Sequence, residues 1–331
     1  MAYLVLENGM AFEGKRIGAK KDAAGEMVFF TGVVGYLETL TDPANAGLIV
    51  MQTFPVIGNY GVAQEDEESG YTPAGYVVRS LCDTPSNFRS TGSLNDYLVK
   101  KGIPGISGVD TRYLTAVLRQ EGAMGAMICD ALPEMFPKGD AVSMLPCEKE
   151  VYPAQEEKKH LVLWNHGAKN SLIRALNEKG WRVTCMPFDA TAEDILSLNP
   201  DGVVLSGGPE NAPEDTAEVK KLLGKMPMLA VGLGHRMVAE ALGGRVEKMH
   251  IGHRGQNQPV LCTLDGRTYI TKQNHGYEVK AENLPGELIY RNLNDGGCEG
   301  MMYESLRCLS VQFDPDDKVL ALFETLMGGE R

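Results

Sequence analysis

The stretch "PMLAVGLGHRMVAEALGG", residues 227–244, is built like a turn that presents a nucleophile. Pro227 to Val231 is an apolar run short enough for a buried strand, Gly232 and Gly234 permit a sharp bend, and Met237, Val238, Ala241 and Leu242 recur at helical spacing. A strand that bends sharply into a helix lifts one side chain clear of the backbone, where Ser or Cys can attack a carbonyl. Here that position is Gly232, which has no side chain to offer. "SGGP" (206–209) also follows an apolar run. Its glycines suit either backbone N–H donation to an anion or oxyanion, or a plain tight turn. "GLGHR" lacks the third glycine of G-x-G-x-x-G and the Lys-Ser/Thr of a P-loop, so it is a poor match to a phosphate loop.

Among the six histidines, His250 and His253 in "HIGHRG" are three apart. The sequence places no third ligand beside them, which favours a loop or packing role, and no metal site is expected. His275 in "KQNHGYE" lies between polar and aromatic neighbours and is expected in a loop or at a strand end, open to a site role. "DPDDK" (314–318) reads as a helix start, with Pro315 early and acids in the first turn.

The elements that must carry these residues fall into two halves. Residues 1–140 hold short β-like runs ("YLVLENG", "EMVFFTGVVGY", "GLIVMQTF", "AGYVVRSL") separated by Gly, Pro and Asn turns, with one stronger helix candidate at "TRYLTAVLRQEGA". Residues 141–158 carry two prolines, many charges and little periodicity, and are expected to link the halves. In 159–331 strand and helix patterns alternate: "HLVLWNHG", then "AKNSLIRALNEKG" stopped by Gly180, then "WRVTCMPF", then "TAEDILSLN" opened by Thr191, then "DGVVLSGG". That alternation predicts an α/β fold with a mainly parallel sheet flanked by helices, whose ligands lie beyond the carboxyl ends of the strands. Two strand ends, 205–213 and 231–236, thereby become candidate site walls.

The chain has 331 residues, 43% of them hydrophobic and 23% charged, which suits about two globular domains. A net charge of −12 disfavours a nucleic-acid or anionic-membrane partner. No run long enough for a membrane span and no signal-peptide pattern is present, so a cytoplasmic location is expected. Seven cysteines without a C-x-x-C pair fit reduced thiols. The acidic run "QEDEES" (64–69) is expected to be a solvated loop.

The two strand-end loops, "QNHG" and the C-terminal "VQFDP" arrive in the order seen in class I glutamine amidotransferases. Together with "GEMVFFTGVVGYLETLTDP", "FPVIGNYG", "DEES", "SNFRSTGSLNDYL" and "GISGVDTRYLTAVLRQEGAMGAMI", they make the chain resemble, from end to end, the small subunit of carbamoyl-phosphate synthetase. The resemblance implies a β-rich N-terminal domain special to the subunit and a glutaminase domain whose ammonia passes by a tunnel to a large subunit. It also implies that ATP and magnesium belong to that large subunit, with no cofactor in this chain, and that the pathway served is arginine or pyrimidine synthesis.

Aligned by its motifs, the family's elbow G-I-C-L-G-H-Q falls on Ala230–Arg236, so its Cys is Gly232 here. The His and Glu of G-H-P-E fall on Asp314 and Asp316. Positions that contact glutamine in the family fall on Ala44 (a Ser there), Glu210 (a Gly), Arg236 (a Gln) and Tyr277 (a Phe), while Gly208, Leu233, Asn274, His275 and Gly276 keep the pattern. Cys262, Cys298 and Cys308 neither follow a strand nor open a helix, so none is placed to replace the nucleophile. The resemblance therefore implies a glutaminase-inactive homologue supporting or regulating an ammonia-using large subunit. Two other readings stand beside it: a repurposed small-anion binding or sensing protein, with Arg236 and His275 as anion contacts, and an active glutamine-hydrolysing subunit. Arg236 is also expected to form a salt-bridge network with Glu210, Asp314 and Asp316 that fills the former pocket.

Overall fold

The structure, a computed structural model, describes residues 1–133, 136, 142–212 and 215–328. It divides into two units, Met1–Ser143 and Met144–Arg331. The expected junction between residues 140 and 141 lies outside the described residues.

The first unit contains β1 (Ala2–Leu6), β2 (Ala11–Gly18), β3 (Ala23–Phe30), α1 (Tyr36–Leu40), β4 (Ile49–Ile57), β5 (Gly75–Leu81), α2 (Leu94–Lys100), β6 (Pro104–Ser107), α3 (Thr111–Glu121) and β7 (Met124–Cys129). Its strands close into a barrel in the order β1-β2-β6-β5-β4-β3-β7. The continuous apolar run of β4 has a physical reason, because successive side chains point to opposite faces and both faces are buried. Ile49 and Met51 pack with Leu114, Val117 and Leu118 of α3. Val50 packs with Tyr36, Leu37 and Leu40 of α1 and with Leu94 and Leu98 of α2.

Ala44 lies in a 3₁₀ turn, Pro43–Asn45, where its N–H donates to Asp42 Oδ1 at 3.0 Å. The acidic run is less solvated than its charge suggests. Arg89 pairs with Glu65 and Asp66, Lys101 Nζ sits 2.8 Å from Glu67, and Glu68 is buried with its N–H donating to Thr41 Oγ1.

The second unit contains β8 (Glu150–Tyr152), β9 (Lys159–Asn165), α4 (Asn170–Glu178), β10 (Trp181–Pro187), α5 (Ala192–Ser197), β11 (Gly202–Leu205), α6 (Thr216–Leu222), β12 (Met228–Val231), α7 (Leu233–Ala241), β13 (Arg245–Cys262), β14 (Arg267–Lys280), β15 (Glu287–Asn292), β16 (Cys298–Tyr303), β17 (Cys308–Val311) and α8 (Asp317–Leu326). They form a ten-stranded sheet in the order β14-β13-β15-β16-β17-β12-β11-β9-β10-β8. The five strands β10, β9, β11, β12 and β17 are parallel neighbours, and antiparallel strands extend the sheet at both ends. The chain thus has the α/β architecture and the largely parallel central sheet that the strand and helix patterns predict.

One edge strand, β8, comes from within the stretch expected to be a linker; it pairs antiparallel with β10 through Val151↔Thr184. In the parallel core, Val162, Trp164, Val203 and Met228 face α5, α6 and α7, while Leu161, Leu163, Val204 and Leu229 face α4 and α8. Local chemistry sets the helix ends. Thr191 and Asp194 form a reciprocal capping box on α5, and Gly180 follows α4 with φ +81°. Among the described residues no helix is long and apolar enough to cross a membrane.

Candidate functional site

Gly232 caps the N-terminus of α7 directly after β12, with φ +55° and ψ −108°. That conformation is strained for any residue with a Cβ. The turn is fixed by the Gly232 N–H, which donates to the Val311 carbonyl at 2.8 Å. A Cβ built there would meet Gly207 Cα at 3.6 Å, an ordinary contact, so space for a side chain remains.

Around the turn the backbone is packed too closely for side chains. A Cβ on Gly208 would lie 2.5 Å from the His166 carbonyl oxygen and 2.8 Å from Leu233 Cδ2, and one on Gly234 would lie 2.6 Å from the Leu205 carbonyl oxygen. This places Gly208 against Leu233, the first residue of α7. His235, one turn into the helix, is fully buried and shares a 2.8 Å hydrogen bond between its Nδ1 and Ser310 Oγ of β17.

The charged residues expected to share one network do not form one cluster. Arg236 donates from Nη1 to the Glu210 carbonyl oxygen at 3.0 Å and lies over the Tyr277 ring, 4.4 Å from its centroid. The Glu210 carboxylate instead meets Arg254, with Nη2 to Oε1 at 2.8 Å and both side chains buried. Arg254 also donates through Nη1 to Asn274 Oδ1, and Gly276 lies beneath the pair, where a Cβ would come within 2.9 Å of Glu210 Oε2.

Asp314 is held by Lys169 at 2.8 Å and faces Lys272 at 3.6 Å. Asp316 caps α8 by accepting from the Val319 N–H at 2.9 Å, which fits the helix start read from "DPDDK". The expected network of Arg236 with Glu210, Asp314 and Asp316 is thus replaced by three separate arrangements. The reason is that lysines from β14 and the start of α4 reach Asp314, while Arg254 of β13 reaches Glu210. Ala44 belongs to the first unit.

His275 is inside β14, opposite His253 of β13, and not in a loop or at a strand end. Its Nδ1 lies 2.9 Å from the Tyr277 carbonyl oxygen and its Nε2 lies 3.7 Å from Glu299 Oε2. A carboxylate facing the ring suits a cation there better than the anion contact that the sequence left open.

The cysteines weighed as substitute nucleophiles are all buried. Burial pushes the thiols of Cys298 and Cys308 up to about 12, which keeps them protonated and unreactive.

Sequence reasoning missed Lys169, Lys272, Arg254 and Glu299. Arg254 lies on β13, whose register with β14 shifts between Lys248 and His253 and again between Gly255 and Gln258, and Glu299 comes from β16, far along the chain. Bulges of this kind break the two-residue periodicity that reveals which side chains share a face.

Two histidines make the unit sensitive to acid. Burial pushes His235 down to about 3 and His166 down to about 4, in the latter case against a hydrogen bond to Trp164. Below the ordinary histidine value near 6.5 the unfolded chain takes protons that these two refuse, so folding loses stability as pH falls from about 6.5 towards those values. His253 opposes them. Its burial resists protonation but is outweighed by Glu299 and Asp295, and its raised value favours the folded state in mild acid. Each group contributes up to about 1.4 kcal/mol per pH unit, and two lowered histidines stand against one raised one, so a net loss of stability is expected between pH 7 and pH 5. Urea unfolding at the two pH values measures it, and an unchanged or higher midpoint at pH 5 contradicts it.

Comparison with known proteins places this geometry in a family. Residues 4–128 match the carbamoyl-phosphate synthase small chain, CPSase domain, and residues 162–319 match glutamine amidotransferase class-I. The carbamoyl phosphate synthase small chain of Clostridium perfringens is 43% identical over 95% of this chain and 94% of its own length. That of Bacillus caldolyticus is 40% identical over 95% of this chain and 90% of its own. The carbamoyl phosphate synthase pyrimidine-specific small chain of Bacillus subtilis is likewise 40% identical, over 95% and 90%. Identity at this level along nearly the whole of both chains makes this protein a member of the carbamoyl phosphate synthase small chain family.

Proposed function

We propose that this chain is a carbamoyl-phosphate synthetase small subunit that no longer hydrolyses glutamine and that supports or regulates a large subunit fed with free ammonia. The observation that carries the reading is the intact turn at Gly232: strand, bend and helix are retained, and the bend holds a residue that cannot form a thioester. The positions that fall on the family's His and Glu are engaged elsewhere, Asp314 with Lys169 and Asp316 as a helix cap. The glutamine-contact position at Glu210 is closed by a buried ion pair.

In this reading ATP, magnesium and the ligase chemistry belong to the large subunit. The product supplies arginine or pyrimidine synthesis, in the cytoplasm and without a nucleic-acid or membrane partner. A free-standing anion-binding or sensing protein has less support, because likeness to the family runs through the first unit as well as the altered one.

Co-expression with a candidate large subunit tests the role. The expected result is co-purification in equal amounts and ammonia-dependent carbamoyl phosphate formation that rises or changes in KM when this chain is added. A large subunit that neither binds nor responds defeats the proposal.

A further inference from the structure

We infer that His253, His275 and Glu299 bind one divalent first-row transition ion of the zinc class, fastening β13, β14 and β16 to one another. One ligand atom from each of the three residues lies within 4.8 Å of the others, and His275 and Glu299 are buried. The orientation of the rings is the informative feature. His275 Nδ1 is 2.9 Å from the Tyr277 carbonyl oxygen, a contact that places the ring proton on Nδ1 and leaves a bare lone pair on Nε2. That Nε2 has no hydrogen-bond partner among the described residues, and neither does Glu299 Oε2, which faces it at 3.7 Å. Two buried acceptors aimed at one another repel unless a proton or a metal cation stands between them.

His253 shares the orientation but not the bare nitrogen, since its inner Nδ1 also lies 3.1 Å from Asn292 Nδ2. Its Nε2 is 2.8 Å from Asp295 Oδ2 and its Nδ1 is 2.9 Å from Glu299 Oε1. A carboxylate or carbonyl on the outer nitrogen of each imidazole, with the inner nitrogen turned to a shared point, is how histidine ligands are held on zinc-like ions. Asn292 steadies the third ligand by donating to Glu299 Oε1 at 2.8 Å. Two imidazoles and one carboxylate suit zinc, cobalt or iron rather than calcium or magnesium, which prefer all-oxygen sites. The sequence offered only the His250–His253 pair. The fold discards exposed His250 and supplies His275 by cross-strand register and Glu299 from a strand further along the chain.

The test uses the full chain, stripped with chelator and then titrated with Zn²⁺ and, separately, Co²⁺. The expected result is one equivalent of ion retained through gel filtration, a cobalt visible spectrum saturating at one equivalent, and a rise in Tm with added zinc. Glu299→Gln and His253→Ala should abolish retention, Asp295→Asn should weaken it by about 10–100-fold, and His250→Ala should leave it unchanged. Failure of the unaltered protein to retain an equivalent overturns the inference, whatever the folding of the variants. So does retention that survives Glu299→Gln in a folded protein, or that is lost with His250→Ala.

Discussion

Purified protein, alone or with a large subunit, will release glutamate from glutamine no faster than a protein-free blank, and restoring the family residues Gly232→Cys, Asp314→His and Asp316→Glu together will not rescue it. Loss of the nucleophile and its base as a unit costs roughly 10⁶-fold in comparable triads, so the unaltered chain should be silent. The triple variant faces a separate obstacle at each position. A Cys at 232 must adopt φ +55° and ψ −108°, a strain of about 1–3 kcal/mol even though its Cβ has room. A His at 314 gives up the Lys169 ion pair and sits beside two ammonium groups, Lys169 and Lys272, which disfavour the imidazolium that a general base must become. A Glu at 316 replaces the Asp whose carboxylate caps α8, at a cost of about 1 kcal/mol. Beyond these, Arg236 over Tyr277 and the Glu210–Arg254 pair still stand at the positions where the proposed reading puts the glutamine contacts. Glutamate release measures the outcome. Turnover near 1 s⁻¹ or above, an ordinary enzyme rate, would show that the pocket is open and that this reading of it is wrong.

The parts legible in sequence are those whose signals are local. The parallel core announced itself because β9, β10, β11 and β12 are short apolar runs followed by helices with their own caps, such as Thr191 before α5 and Gly180 after α4. The turn at Gly232 was legible for the same reason, since strand, bend and helix are contiguous in sequence there. What stayed hidden depends on register between distant segments. The closed barrel of the first unit follows from which strands pair, and β2 beside β6 leaves no trace in either stretch alone. Arg254 reaches Glu210 across 44 residues, and Glu299 meets His253 across 46, through strands whose bulges erase alternation. The salt-bridge network expected around Arg236 went wrong at this level. The residues were charged and near in the motif map, but complementary charge does not say which partner a backbone will deliver.

Breaking the Glu210–Arg254 pair from either side should cost about 3–5 kcal/mol, and removing both sides should cost markedly less than the sum. The two side chains are 7% and 3% exposed, so neither charge can turn to water when its partner is lost. Arg254→Met leaves the Glu210 carboxylate facing the buried floor at Gly276, and Glu210→Gly leaves a guanidinium that also donates to the Asn274 side-chain oxygen Oδ1. The second change is the sharper one, because glycine is what the family's motif carries at 210. Placing that glycine here should therefore destabilise this protein, as expected if Glu210 is held by its partner. Urea unfolding of the two single variants and of the Glu210→Gly/Arg254→Met double variant gives the coupling directly. A coupling of 2 kcal/mol or more is expected for a contacting buried pair, about the upper part of the usual range. Single variants that each cost under about 1 kcal/mol, or a double variant that costs their plain sum, would mean that the pair is screened by water and does not close the pocket. In that case glutamine should bind to the unaltered chain even without being hydrolysed, and equilibrium binding of glutamine would then separate a pocket that has lost its chemistry from one that has also lost its ligand.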